Sequence, residues 1–276
     1  MKKLRYSVFF CDYDGTLASD DHTVSRANRD AIAAYVAAGG AFVLSTGRLF
    51  RSARPLAKEL GLHGMLIACQ GAGVYDIDDG RCLWANALES DVAIAIAEYL
   101  ESRPECVPMM YLDDECVTVE RNPYTDRFVE ICKIPYRTTG GAALSQYLRD
   151  DRTRRPTKLL ALVQPQDAVE LCERGAQALG ERAEFCRSQD FIVEIMPPYA
   201  NKGVACKYVC ERLGLDASDA VAIGDSENDL SMIRFAGLGV AVANAFDNVR
   251  AQADRVATNN NDDAIAQVIR DCCIEE

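Results

Sequence analysis

A change of rhythm along the chain limits its fold more than any other feature. Near the start, apolar runs of strand length at 6–11, 41–44 and 65–69 alternate with helical stretches at 25–38 and 49–60. Ser25 suits an N-cap, and Gly39-Gly40 and Gly61 suit helix stops. Strands separated by whole helices cannot be joined by tight turns, so this pattern predicts a parallel sheet with helices on its faces. The rhythm then breaks. Strands at 74–77 and 81–84 flank Asp78-Asp79-Gly80, a hairpin signal. A helix at 89–100, strands at 107–112 and 116–120, a turn at 121–126 and a short helix at 142–148 follow. Next come a strand at 158–163, a helix at 165–179 opened by Pro165, and a strand pair at 183–187 and 191–196. Hairpins mixed with helices predict an antiparallel α+β unit. After Pro197-Pro198 the first rhythm returns, with helices at 202–213, 227–235 and 263–272 and strands at 220–223 and 239–242. The expected organisation is an α/β unit made of 1–86 and 189–276, interrupted by an inserted α+β unit at 87–188.

Composition narrows the function. The chain is 49% hydrophobic and 26% charged, as in ordinary globular proteins. Its net charge of -12 argues against nucleic acid or an anionic membrane as partner, because both select a positive surface. No apolar run reaches the ~18 residues of a membrane span. The apolar start leads straight into Asp12 without a small-residue cleavage site, so it is expected to be a strand and not a signal peptide. There are twelve cysteines but no C-x-x-C, and neither His22 nor His63 neighbours a cysteine pair. Reduced thiols in a cytoplasmic protein are expected, with no zinc site.

Four segments are candidates for chemistry, each weighed against a plain turn, cap or exposed side chain. Asp12-Tyr13-Asp14-Gly15-Thr16 lies at the C-terminal end of the first strand, the edge where open α/β sheets bind ligands. Two carboxylates this close ask for a neutralising cation, and oxygen donors at a strand end suit Mg²⁺. Gly224-Asp225-Ser226-Glu227-Asn228-Asp229 follows a later strand. Helix capping accounts for Ser226 and Asp229 there, but leaves Asp225 and Asn228 without a reason. If this strand neighbours the first, Asp225 joins Asp12 and Asp14 in an oxygen-ligand site. Thr46-Gly47-Arg48 places a hydroxyl and a glycine at a strand end, which suits a phosphoryl oxygen or a plain N-cap. Lys202 follows Asn201 in the first turn of a helix, where a cation opposes the helix dipole. Gly71-Ala72-Gly73 is not a dinucleotide fingerprint, since position 76 is Asp and a hairpin follows. Taken together, a nucleophile, a metal site and two phosphate clamps compose a phosphoryl-transfer site.

This order resembles the haloacid dehalogenase superfamily, and in particular its Cof-type branch of sugar-phosphatase-like hydrolases. The resembling residues are Asp12-Tyr13-Asp14-Gly15-Thr16-Leu17, Ser45-Thr46-Gly47-Arg48, Asn201-Lys202-Gly203 and Gly224–Asp229, with Asn244-Ala245 further on. The resemblance implies a Rossmann-like parallel-sheet core with an inserted α+β cap that reads the substrate. It implies Mg²⁺-dependent phosphomonoester hydrolysis of a small phosphorylated metabolite, such as a hexose phosphate, another sugar phosphate, pyridoxal phosphate or flavin mononucleotide. Asp12 would be the nucleophile that forms an aspartyl-phosphate, and Asp14 the general acid/base. Thr46, Gly47 and Lys202 would hold phosphoryl oxygens. Asp12, the Asp14 backbone carbonyl and Asp225 would bind the metal, with Asn228 and Asp229 orienting that shell. The branch usually shows Asn-Gly where this chain has Gln70-Gly71, which makes these two candidate substrate contacts. Arg121, Asn122, Tyr124 and Arg127 are candidate cap contacts. A phosphomutase on the same core, or a non-catalytic binder of phosphorylated ligands, are the alternatives; the latter is at odds with the presence of Asp12, Asp14 and Lys202.

Overall fold

The structure is a computed structural model and describes residues 4–132 and 134–274. The first stretch builds β1 (Val8–Cys11), α1 (Arg26–Ala37), β2 (Ala41–Leu44), α2 (Phe50–Glu59), β3 (Met65–Ala68), β4 (Gly73–Asp76) and β5 (Cys82–Ala85). The middle builds α3 (Ser90–Glu101), β6 (Val107–Leu112), β7 (Glu115–Thr118), α4 (Pro123–Cys132), β8 (Tyr136–Thr138), α5 (Leu144–Asp150), β9 (Lys158–Leu162), α6 (Ala168–Leu179), β10 (Glu184–Gln189) and β11 (Ile192–Met196). The last stretch builds α7 (Lys202–Leu213), β12 (Ala220–Gly224), α8 (Leu230–Phe235), β13 (Leu238–Ala241), α9 (Asp247–Arg250), β14 (Arg255–Val256) and α10 (Ala264–Val268).

Two compact units result. One contains Met1–Gly47, Ala53–Leu83 and Asn201–Glu276; the other contains Arg48–Ser52 and Trp84–Ala200. The first is organised by a five-stranded sheet in the order β14-β13-β12-β1-β2, parallel throughout. β1 and β12 are buried along their whole length, which is why both read as unbroken apolar runs without alternation. Their register, Val8 to Ala220 and Cys11 to Ile223, brings their C-terminal ends level. A parallel bridge from Ser45 to Ile67 continues the sheet edge from β2 towards β3. The Ser25 side chain accepts the Asn28 N–H and caps α1, as expected.

The second unit is a six-stranded sheet in the order β10-β11-β9-β6-β7-β8. Met110, Leu112, Leu159, Ala161, Val193 and Ile195 on one face pack with Ile96, Leu100, Leu148 and Leu171 of α3, α5 and α6. The other face buries an ion pair, Lys158 to Glu194 at 2.7 Å, with the ammonium above the Tyr111 ring.

Two differences from the sequence expectation bear on how the units are divided and on the expected site residues. The inserted unit does not end at 188. β10 pairs with β11 and β11 with β9, so the hairpin expected at 183–196 belongs wholly to the six-stranded sheet and the chain leaves this unit after Ala200. Residues 121–126, expected as a turn, instead open α4. The Asn122 side chain accepts the N–H groups of Tyr124 and Thr125, and Pro123 takes the first helical position. Among the described residues no helix is long and apolar enough to cross a membrane. Among the described residues, eleven of the twelve cysteines are free thiols.

Candidate active site

Every element of the site comes from the first unit. Asp12 leaves β1 with its N–H on the Ile223 carbonyl of β12 at 3.1 Å, and it is 6% exposed. Asn201 caps α7 by accepting the Val204 N–H, which seats Lys202 in the first turn. The Lys202 ammonium is fully buried and donates to Asp12 Oδ1 and to Asp229 Oδ1, each at 2.6 Å. Asp229 Oδ2 accepts the N–H groups of Asp225 and Ser226 at 2.9 and 3.0 Å. Both oxygens of Asp229 are therefore taken by protein donors, and the residue acts as a strut between α7 and the loop after β12. A side chain at Gly224 would overlap it, because a Cβ there would lie 2.4 Å from the Asp229 carboxyl carbon.

Asp225 faces the loop after β1. Its Oδ1 accepts the Thr16 hydroxyl at 2.8 Å and its Oδ2 the Ser226 hydroxyl at 2.7 Å. Gly15 turns with φ +80°, and a Cβ there would come within 2.9 Å of Asp225 Oδ2. Glycine serves both needs, the left-handed backbone and the close approach.

Carboxylate oxygens of Asp12, Asp225 and Asp229 lie within 4.8 Å of one another, the one such cluster among the described residues. Three carboxylates against the single Lys202 ammonium leave an excess of negative charge in a buried place. The directions in which the pKa values move follow from the same imbalance. Burial pushes the Asp12 carboxyl well up, and Lys202 only partly offsets this. Burial, then the charge of Asp229, pushes Asp225 up to about 7. Burial works against the Lys202 ammonium, but Asp12 and Asp229 outweigh it and hold the lysine charged. The Cys11 thiol beside the cluster is raised by burial and then by Asp12. Asn228 adds a buried Oδ1 with no partner. An all-oxygen donor set with surplus negative charge and a spare amide oxygen fits a hard divalent cation. The Asp14 carboxylate is not in this cluster; its expected share of the metal is a backbone carbonyl.

One consequence is measurable. A carboxyl raised in the folded state binds its proton more tightly there than in the unfolded chain. Stability of the metal-free protein therefore drops as pH rises through the region from the usual carboxylate range to about 7. Above that, a bound cation would remove the penalty. The magnesium-induced rise in melting temperature is expected to be larger at pH 8 than at pH 5.5; equal rises would contradict this account of Asp225.

Thr46 follows β2 and is buried, with its N–H on the Ile67 carbonyl at 3.0 Å. The Gln70 N–H returns to the Thr46 carbonyl at 3.0 Å. Cys69 and Gln70, at φ +52° and +58°, hold a left-handed turn unusual for side chains of this kind. The Gln70 carboxamide lies against Gly47, where a Cβ would come 2.4 Å from Nε2. Gly71 is explained by packing, since a Cβ would lie 2.3 Å from the Asn201 carbonyl oxygen. Thr46, Gly47, Gln70 and Gly71 thus form one packed corner that reaches the start of α7.

The expected second-unit contacts divide. Arg121 pairs with Asp126 at 3.2 Å, and Asn122 is occupied in capping α4. Tyr124 and Arg127 line a cavity of about 530 Å³ with Phe128, Gln164 and Phe191. Sequence reasoning missed Thr16 and Ser226, whose hydroxyls hold Asp225, and left Asn244 without a role. The Asn244 Nδ2 donates to the Gly15 carbonyl at 2.8 Å.

The profile of the haloacid dehalogenase-like hydrolases matches residues 9–269, and the chain belongs to that family. Phosphatase YwpJ of Bacillus subtilis is 27% identical, over 94% of this chain and 97% of its own length. A haloacid dehalogenase-like hydrolase from Bacteroides thetaiotaomicron, known from its crystal structure, has a TM-score of 0.80 at 27% identity, covering 96% of this chain and 98% of that one. The chain is also 28% identical to the chloroplastic endoribonuclease YBEY of Arabidopsis thaliana over 97% of its residues, but spans only 46% of that protein.

Proposed function

We propose that the chain is a Mg²⁺-dependent phosphomonoester hydrolase acting on a small phosphorylated metabolite, a sugar phosphate or similar ester. The observation that carries this reading is the state of Asp12. One oxygen is fixed by Lys202, and no donor among the described residues occupies the other, Oδ2. A buried carboxylate oriented this way is equipped to attack phosphorus.

Asp12 Oδ2 bonds to phosphorus while the bond to the leaving oxygen breaks. That oxygen keeps the electron pair and takes a proton from Asp14. Water then attacks the aspartyl-phosphate, gives a proton back to Asp14, and releases inorganic phosphate and the free Asp12 carboxylate. Lys202 uses two of its three N–H donors on Asp12 and Asp229, which leaves the third for a phosphoryl oxygen. Thr46 and Gly47 supply the opposite clamp. Asp12, the Asp14 carbonyl and Asp225 would hold Mg²⁺, with Asn228 and Asp229 orienting the shell. When bound, the ion offsets repulsion between the phosphate and the carboxylates. The second unit serves as the cap that reads the leaving group, with Tyr124 and Arg127 as its candidate contacts. Neither nucleic acid nor membrane is a partner in this reading, which the net charge of -12 supports. A cytoplasmic setting goes with this reading, since twelve cysteines without a C-x-x-C motif suit reduced thiols.

The test is a panel of phosphate esters with purified protein and Mg²⁺, ranked by kcat/KM. Phosphate release without any bisphosphate activator is expected, which separates hydrolysis from a mutase. Absence of turnover on every ester would overturn the proposal.

A further inference from the structure

The loop after β1 and the loop after β12 must keep a fixed spacing, because each brings carboxylates to the same cluster. The Thr16–Asp225 hydrogen bond links them, but through the very carboxylate a cation would claim. A second link runs through 242–246. The Val242 N–H donates to the Gly224 carbonyl at 3.2 Å and the Phe246 N–H to the Asp225 carbonyl at 2.9 Å. These bonds fasten the turn to both sides of the Gly224–Asp225 peptide. Asn244 lies between them and reaches across to the other loop, its Nδ2 on the Gly15 carbonyl. Its Oδ1 accepts the Asn260 N–H at 3.0 Å, which fixes the amide so that the donor faces Gly15. Asn260, 4% exposed, donates from its own side chain to the Ala18 carbonyl at 3.0 Å and so holds the far end of the same loop.

Gly15 is where the loop is softest. It has no side chain, and its φ of +80° is open to few other residues. The peptide beside it carries the Asp14 carbonyl. We propose that Asn244 is a positioning residue: it pins the Gly15 peptide to the Asp225 loop and so sets the cation site, independently of the charge on Asp225. This rests on the metal-dependent reading of the site given above.

Asn244 is exposed, so its truncation leaves the core intact. The experiment follows melting temperature against MgCl₂ for the parent, Asn244→Ala and Asn261→Ala, with kcat and KM measured in parallel. Asn261 holds Asp20 on the same surface but makes no bond to the Gly15 turn, and serves as the control. For Asn244→Ala the metal-free melting temperature is expected to stay in place while the magnesium midpoint rises about tenfold or more. Its kcat is expected to fall at low magnesium and recover at high magnesium, with KM unchanged. Asn261→Ala is expected to match the parent. An unaltered midpoint in Asn244→Ala overturns the proposal, and so does a loss of metal-free stability that accounts for the whole effect. A parent protein with no magnesium response instead overturns the reading of the site itself, and the role of Asn244 with it.

Discussion

Asp12→Asn protein is expected to release no phosphate from any ester, a loss of about 10⁴-fold or more, and to melt no lower than the parent. The first half follows from chemistry, since a neutral carboxamide does not attack phosphorus. The second follows from charge. Asp12, Asp225 and Asp229 share one buried ammonium. Asn has the same shape, keeps an oxygen for Lys202, and removes one of the crowded negative charges. Burial already pushes the Asp12 carboxyl up, which means the folded state resists its ionisation. Without metal, the variant should therefore be as stable as the parent or more so at pH 8. Phosphate-release assays and thermal melts decide this; retained turnover would remove Asp12 from the role of nucleophile.

Lys202→Met should be equally inactive and opposite in stability. The ammonium is fully buried and bonded to two carboxylates. Removing one partner of such a group leaves buried charge without compensation, at about 3–5 kcal/mol. In a protein of this size that corresponds to a fall in melting temperature of roughly 10 °C. The deficit should shrink as pH falls, because the stranded carboxyls can take up protons. A variant as stable as the parent at pH 8 would show that Lys202 does not anchor the cluster. The two inactive variants thus separate chemistry from architecture: one loses the reaction alone, the other loses the strut as well.

The parts of this molecule legible in the sequence are those with a short-range signature. β1, β2 and β12 are apolar runs because they are covered on both faces, and Asp12, Thr46 and Asp225 follow their C-terminal ends along one sheet edge. Lys202 was conspicuous because a cation in the first turn of a helix is unfavourable there. The parts that escaped depend on distant partners or on a signal read the wrong way. The 184–196 hairpin has the pattern of a strand pair in either unit, and only its pairing with β9 assigns it. Asn122-Pro123 reads as a turn and equally as a capped helix start, and Thr125, fully buried, belongs to the latter. The left-handed turn at Cys69 and Gln70 has no signature at all, since neither residue type favours it. Asn244 is a surface asparagine until the structure shows that its amide spans two loops more than two hundred residues apart in sequence.

The register of β1 has a consequence for how the protein is made. Val8–Cys11 lies between β2, which follows soon after, and β12, which leaves the ribosome about two hundred residues later. The second unit is encoded entirely ahead of β12 and can be complete while one edge of β1 still waits for its neighbour. During that interval an apolar strand stands with unpaired backbone groups, the kind of edge that recruits other chains. Translation that stops short of Ala220 would yield a chain with Asp12 in place, no lysine strut anchored at Asp229, and an open seam at the centre of its sheet.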